Sequence, residues 1–403
     1  MTKVVTHPKS RRFGMSFLNA RWLLPAAIIL VSFFLEQTCA RSDRPTYEIQ
    51  DKDGVRVVHN FSLSPDKAFR DLSFVEDLSI GVEEGDESYV FDNPTDADAD
   101  RSGNIYVLDS GDCVVKEFGP DGRYLRQFGG RGQGPGEFQR PRAIFISDQD
   151  KIFVGDGEAA EIEEFALSGD YLKTRRVDLP RTFCFNRDEE LLVEQYVFDD
   201  QGKSFLAVGS FDFESQTIRP FFRQRQYWPA RVMDDRFFYE FPYFVRWDVD
   251  SQDSVYVGSA VEYEISVFDR RGRLQFRFNK EFDPKPVTGE ERKMLSERLD
   301  RSPARAEENP YKENPVYPVF KDISCDEKDR VWVGHYQPGW RSITAKETRY
   351  DIFSRDGIFL FSTLIPGHIY SQLKFKNGYL YSLRKDDSGY SKALRMKVLE
   401  KEK

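Results

Sequence analysis

Short runs in which apolar and polar positions alternate, each bounded by a Gly- or Asp-rich turn, recur along the chain. In Asn104 to Leu108 the apolar Ile105 and Val107 alternate with Tyr106, and Val331 to Val333 does the same around Trp332. This period of two predicts half-buried strands. Each run follows a turn such as SGN, QDK, QDS or EKD and leads to a second turn of the PDG, SGD, RRG or RDG kind. Gly and Asp tolerate the left-handed backbone of tight hairpins, so these turns mark antiparallel reversals. The unit reads strand, turn, strand, loop, strand, turn, strand: a four-stranded antiparallel meander that needs neighbours to bury its faces.

The unit repeats. Aligned on Asp100 it recurs at Ser147, Asn186, Asp250, Asp326 and Phe375, with degraded third and sixth copies. Two intervals exceed the roughly 40 to 50 residues of a propeller blade, so the excess is expected as inserted loops. The expected fold is all-β: a six-bladed β-propeller of four-stranded antiparallel blades, with a short helical insertion. The blades fall near 97–128, 142–178, 181–214, 244–279, 318–363 and 370–399. The sixth copy runs out of chain before its outermost strand. Asp71 to Gly81 looks like that strand, and its pairing there would close the ring and remove an exposed sheet edge. Residues 71–403 are thus read as the propeller, 41–70 as an N-terminal extension or hairpin, and 1–40 as a targeting segment.

The segment GGRGQGPGEFQRPRAIFISDQDKIFVGDGEAAEIEEFALSGDYL resembles the NHL-repeat pattern. From about Leu72 to Lys397 the chain resembles the bacterial six-bladed β-propeller family of exported proteins. The resemblance implies the fold and says little about activity, since propellers host binding, lyase, lactonase and scaffold roles.

The N-terminus holds Lys3, Lys9, Arg11, Arg12 and Arg21, then an apolar run from Trp22 to Leu35. That run is short of the roughly 20 residues of a membrane span, so export is expected, to the periplasm, cell envelope or exterior. Cleavage after Ala40 and lipidation of Cys39 both stay open, with an uncleaved anchor third; Glu36 and Thr38 suit a lipoprotein signal poorly. The Arg11-Arg12 pair hints at twin-arginine export, although its flanks fit poorly. The membrane would be met only through this segment.

The formal net charge of -9 argues against nucleic-acid binding, which relies on clustered cations. Thirty-five Phe and nineteen Tyr suit packing between sheets. Cys39, Cys113, Cys184 and Cys325 contain no close pair, so no disulfide framework is expected, and Cys184 and Cys325 are read as free thiols on inner strands.

Catalytic motifs are scarce. GGRGQGPGE, Gly129 to Glu137, lacks the GK[ST] ending of a phosphate loop and is read as a crossover between blades. His7, His59, His335 and His368 show no ligand spacing, and no Ser-His-Asp arrangement can be argued. Calcium is the one ion that Asp100, Asn186, Asp250 and Asp326 would suit. Their repetition argues instead for a role in the turns. The cluster Asp156, Glu158, Glu161, Glu163 and Glu164 lacks the spacing of a calcium loop and is expected on a solvated face. No catalytic residue, metal ligand or cofactor is assigned.

The long insertions carry the functional expectation. RPFFRQRQYWPARVMDDRFFYEFPYF, from Arg219, is rich in Arg and aromatics, the types enriched in interface hot spots. VTGEERKMLSERLDRSPARAEE reads as helical, with Thr288 and Glu291 forming a capping box and Met294, Leu295 and Leu299 on one stripe. Both inserts, and the loop from His335 to Thr348, emerge on one face of a propeller. The candidate binding residues are Arg225, Tyr227, Trp228, Arg231, His335, Tyr336, Trp340 and Arg341. The expected protein is an exported, monomeric, non-enzymatic propeller that binds a protein, peptide or glycan in the cell envelope through this face. The alternative is a divalent-metal-dependent hydrolase, lactonase- or esterase-like, or a lyase, acting at the central channel.

Overall fold

The computed structural model describes residues 45–63, 72–177, 182–225, 245–290, 293, 316–336 and 346–400. They form a six-bladed β-propeller with almost no helix. An N-terminal hairpin, β1 (Tyr47–Lys52) and β2 (Val55–Asn60), is followed by the lone strand β3 (Leu72–Ile80). Blade one is β4 (Pro94–Ala99), β5 (Ile105–Asp109), β6 (Val114–Phe118) and β7 (Tyr124–Gly129). Blade two is β8 (Pro141–Ile146), β9 (Lys151–Asp156), β10 (Glu161–Ala166) and β11 (Tyr171–Arg176). Blade three is β12 (Phe183–Phe185), β13 (Leu191–Phe198), β14 (Ser204–Asp212) and β15 (Thr217–Arg225). Blade four is β16 (Val245–Val249), β17 (Val255–Ser259), β18 (Glu264–Phe268) and β19 (Leu274–Lys280). Blade five is β20 (Phe320–Cys325), β21 (Val331–His335), β22 (Glu347–Phe353) and β23 (Phe359–Pro366).

Blade six closes the ring. Its inner strand is split into β24 (His368–Ile369) and β25 (Lys374–Lys376), followed by β26 (Tyr379–Lys385) and β27 (Ser391–Glu400). Its outermost strand is β3, antiparallel to β27 from Ile80 opposite Ala393 to Leu72 opposite Glu400. The strand read from the sequence as a displaced outer strand therefore supplies the missing position.

The core lies between blades. Each of the six gaps between neighbouring blades holds a cluster of buried apolar side chains. Tyr106, Leu108 and Val115 of blade one, for example, pack on Ile144, Ile152 and Val154 of blade two. The alternation along each strand thus serves two interfaces, one per face, and neither face is left to solvent.

The repeated Asp or Asn is spent in the first hairpin of its blade. Asp100 Oδ1 accepts from the backbone N–H of Ser102 at 2.8 Å and of Asn104 at 3.0 Å. Asn186, Asp250 and Asp326 hold the same two positions of their own turns. The second oxygen reaches a buried aromatic on β5, β17 or β21: Tyr106 at 3.1 Å, Tyr256 at 3.1 Å and Trp332 at 2.9 Å. A side chain that caps its own turn, and in blades one, four and five also satisfies a buried ring donor, has a structural reason to recur.

The crossover at Gly129 follows from close approach. Its φ is +92°, and a Cβ there would lie 2.4 Å from the Phe138 ring. Three elements differ from the sequence reading. Blade three's outer strand runs on to Arg225, so the start of the first Arg- and aromatic-rich stretch is strand and not loop. The hairpin β1–β2 adds to blade four, with β2 parallel to β19, which no local pattern indicated. The acidic cluster is a solvated face only in part: Glu158 is exposed and Glu161 half-buried, while the other three are buried. Asp156, Glu163 and Glu164 are buried because each has partners: Asp156 accepts from backbone N–H groups, Glu163 from Thr174, and Glu164 pairs with Arg175 at 2.9 Å. Backbone of the second insert is helical at Gly289 and Glu290, and its stripe of Met294, Leu295 and Leu299 lies outside the described residues. No helix among the described residues is long and apolar enough to cross a membrane.

Candidate functional site

The chain's path sorts the loops. Connections from a blade's outer strand to the next inner strand, and from its second strand to its third, open on one face of the ring. Among the described residues, that face carries 281–290, 316–319, Tyr336 and Lys346. A pocket of about 340 Å³ opens there between blades four and five. Its walls include Lys280 and Phe282 at the end of β19, Tyr317 at the close of the second insert, and His335, Tyr336 and Arg349 of blade five.

Behind these residues lies one carboxylate. Asp351, fully buried on β22, faces Lys280 Nζ at 2.7 Å, Tyr263 Oη at 2.9 Å and His335 Nε2 at 2.8 Å through Oδ2. Its Oδ1 accepts from Ser362 Oγ at 2.5 Å and has the Arg349 guanidinium 3.5 Å away. Burial alone would raise the Asp351 carboxyl, but His335 and then Lys280 outweigh it and hold the group well below the usual carboxylate range. Burial also lowers the Lys280 ammonium, partly against Asp351. Tyr263 is pushed well above the ordinary phenol value by burial and by Asp351. The network fixes cationic and aromatic side chains at the pocket wall.

The aromatic side is equally ordered. Tyr317 and Tyr336 stack with ring centroids 5.9 Å apart and an interplanar angle of 26°. His335 meets the edge of Phe282 at 5.7 Å and lies 6.1 Å from Tyr263. Gly334, just before His335, has Asp322 Oδ1 where a Cβ would project, at 2.0 Å, and any side chain there would collide. An aromatic pair beside fixed cations offers stacking and charge-assisted hydrogen bonds to a polar ligand. Among the described residues it offers no activated nucleophile: Ser362 donates to Asp351 and not to His335, so the carboxylate sits between the other two groups and the order of a hydrolytic triad is broken.

Of the eight residues singled out in the sequence, the structure brings His335 and Tyr336 together in this pocket. Arg225 ends β15 on blade three, opposite Phe205, and does not line it. Tyr227, Trp228, Arg231, Trp340 and Arg341 lie outside the described residues. Asp351, Lys280, Tyr263 and Arg349 were missed. The signal for Asp351 was present: the residue two before the third-strand Phe is a buried polar group in blades one, two, four and five, as Lys116, Glu163, Ser266 and Asp351.

The central channel is crossed by blade six. Gln372 Nε2 donates to Ile323 O at 2.8 Å and Trp247 O at 3.3 Å, reaching blades five and four. Lys376 Nζ reaches Ala99 O at 3.1 Å, Ile146 O at 2.9 Å and Asp98 Oδ1 at 2.8 Å, on blades one and two. The inner-strand carboxylates tie neighbouring blades: Asp96 to Ile144 N at 3.1 Å, Asp98 to Ile146 N at 2.8 Å and Asp248 to Cys325 N at 2.8 Å. Burial pushes Asp96 and Asp248 up to about 6, with Lys374 opposing. For Lys374 burial would lower the ammonium, yet Asp96, Asp98 and Asp248 raise it. These carboxylates already have an ammonium partner, and among the described residues no three His, Cys, Asp or Glu side chains are placed to share a metal ion. Cys184 and Cys325 are free thiols on the inner strands, with burial pushing both up, which leaves them unreactive as thiolates.

Comparison with known proteins agrees on the architecture. The DUF5128 family model, described as a 6-bladed beta-propeller, matches residues 98–239. Among solved structures, a candidate exported protein of Bacteroides fragilis is similar with a TM-score of 0.51 and 11% identity, over 85% of this chain and 99% of that one. Virginiamycin B lyase of Staphylococcus aureus gives a TM-score of 0.43 at 9% identity, over 81% of this chain and 99% of its own. A gluconolactonase of Xanthomonas campestris gives 0.42 at 11%, over 88% and 96%. At such identities the likeness to the Bacteroides protein shows the fold alone, and the two enzymes carry no functional argument. No curated protein matches the chain.

Proposed function

We propose that this protein is an exported, non-enzymatic binding propeller whose insert-bearing face takes a protein, peptide or glycan partner of the cell envelope, anchored at the His335–Tyr336 pocket. The observation that carries the reading is the wall around Asp351: a Tyr317–Tyr336 stack next to Lys280, His335 and Arg349, with no nucleophile among the described residues in line with the imidazole. Export rests on the basic stretch and apolar run of residues 3–35. The rival, a metal-dependent hydrolase or lyase at the central channel, is second because the inner-strand carboxylates already face cationic side chains, Asp98 Oδ1 meeting Lys376 Nζ at 2.8 Å and Asp96 and Asp248 facing Lys374.

The test is binding of the purified chain, freed of residues 1–40, to peptide and glycan arrays, beside Tyr336→Ala. Specific hits lost in Tyr336→Ala, with the melting temperature kept, are the expected result. Hits unchanged by Tyr336→Ala would remove the pocket from the account. Turnover of lactone or ester substrates, abolished by Lys374→Met, would put the rival first.

A further inference from the structure

We infer that the opposite face of the propeller carries a second, independent binding site: an arginine-lined groove for an acidic polysaccharide. The hairpin turns of each blade collect on that face, away from the inserts. A groove of about 770 Å³ runs there beneath blades four and five. Arg56 of β2, Arg270, Arg271 and Arg273 of the β18–β19 turn, and Arg355 of the β22–β23 turn line it. Five arginines meet two aspartates in the lining, Asp269 and Asp356, and two more just beyond it, Asp188 and Asp250, which leaves a local excess of positive charge on a chain whose net charge is -9. The concentration runs against the composition of the molecule.

Three of the five guanidinium groups have carboxylate partners that do not use all their donors. Arg355 donates through Nε to Asp250 at 2.9 Å and through a terminal nitrogen to Ser254 at 3.0 Å, and also bonds Gln252. Arg270 pairs with Asp188 at 2.8 Å, and Arg273 with Asp269 at 2.6 Å. A guanidinium has five N–H donors, so each retains donors beyond its carboxylate, in an orientation already fixed. Arg56 lies 5.1 Å from the Phe276 ring, and neither it nor Arg271 pairs with a carboxylate among the described residues. Planar forks of this kind match carboxylate and sulfate oxygens, and Phe276 adds an aromatic surface on which a sugar ring can lie.

The cations come from three separate chain segments and do not converge on one point, and the volume suits an oligomer better than a single ion. Nucleic acid is the less fitting polyanion, because its affinity comes from roughly 6 to 10 phosphate contacts over an extended basic surface. Here the cationic area is one groove.

The test is retention of the purified chain on immobilised heparin and on polygalacturonate at low salt, with neutral dextran as the blank. Arg56→Gln/Arg271→Gln and the single Arg271→Glu are the variants, chosen because neither side chain closes an ion pair. Arg123→Gln, at the exposed β6–β7 turn of blade one and outside both the groove and the pocket, is the control. Both acidic glycans should retain the wild type and Arg123→Gln, with affinity falling as salt rises, and the arginine variants should bind at least about tenfold more weakly. Should Arg56→Gln disturb folding, Arg271→Glu alone decides. Wild type that elutes with the dextran blank, or arginine variants retained like wild type, would overturn the inference. Equal or tighter binding to single-stranded RNA or to phosphatidylglycerol vesicles, lost in the same variants, would also overturn it.

Discussion

Lys280 of blade four places its ammonium 2.7 Å from the Asp351 carboxylate of blade five, and both side chains are buried. The pair joins two blades at the pocket and sets the pocket's charge. Removing one partner strands the other in a medium that solvates charge poorly. Asp351→Ala should therefore cost about 3–5 kcal/mol, read as a fall in urea midpoint with the slope unchanged. Lys280→Met should cost less, since His335 and Arg349 remain beside the carboxylate and the Phe359 ring, 4.0 Å from the ammonium, offers an apolar neighbour to the methionine. The double variant Lys280→Met/Asp351→Leu should recover part of the loss of Asp351→Ala; strict additivity would show that the two do not act as a pair.

Gly334 is required by sterics and not by backbone angle. A methyl group there meets Asp322, which is pinned by Lys321 Nζ and Tyr350 Oη, each at 2.9 Å, and also meets the Tyr350 ring. Neither neighbour can yield cheaply. Gly334→Ala should destabilise by about 1–3 kcal/mol and weaken any ligand of the adjoining pocket. A melting temperature like that of wild type would show that blade five has slack at this point.

The recurring turn acid should be replaceable by its amide more readily than by alanine. Asp326 caps its turn and accepts from Trp332 Nε1 at 2.9 Å, and the indole is fully buried. Asp326→Ala leaves that donor without a partner, at a cost of about 1–3 kcal/mol beyond the loss of the turn. Asp326→Asn keeps an acceptor and should cost less. Because these carboxylates are taken up by turns, EDTA should leave the melting temperature unchanged; a fall reversed by calcium would reassign them as ligands.

Stability should depend on pH in two opposite ways. Asp96 and Asp248 have folded values raised to about 6 from an ordinary 3.8, so between these values the folded state binds more protons than the unfolded. Stability therefore rises as pH falls from about 7.5 toward 5, by roughly 1–2 kcal/mol per carboxyl once solvent in the channel is allowed for. Asp351 is depressed, so its contribution is present above its unfolded value of 3.8 and is lost as pH falls below it. Urea midpoints from pH 3 to 8 should peak between about 4 and 5.5. Asp96→Asn should flatten the upper limb and leave the acid limb in place.

The fold was legible because propeller blades repeat: a strand such as IYVLD, a turn such as PDG and a capping Asp each announce the unit locally. Closure by β3 was legible for the same reason, since DLSFVEDLSI resembles an outer strand. The site was only half visible. His335 and Tyr336 stood out by residue type, but the Lys280–Asp351 pair depends on contact between blades across a long insertion. Sequence periodicity within a strand carries no information about which neighbour faces it. The burial of Asp156, Glu163 and Glu164 was misjudged on the same ground, because Thr174 and Arg175 arrive from the next strand. The hydrogen bonds of Gln372 and Lys376 to the inner strands of other blades accompany the split of β24 from β25, an irregularity that a degraded repeat does not reveal.

Whether the pocket at His335 and Tyr336 holds a partner is read from calorimetric titration of the strongest array peptide or glycan into wild type, Tyr336→Ala and Arg271→Gln. Wild type and Arg271→Gln should bind with equal affinity, and Tyr336→Ala at least about tenfold more weakly. Equal affinity for Tyr336→Ala and wild type would place the partner elsewhere.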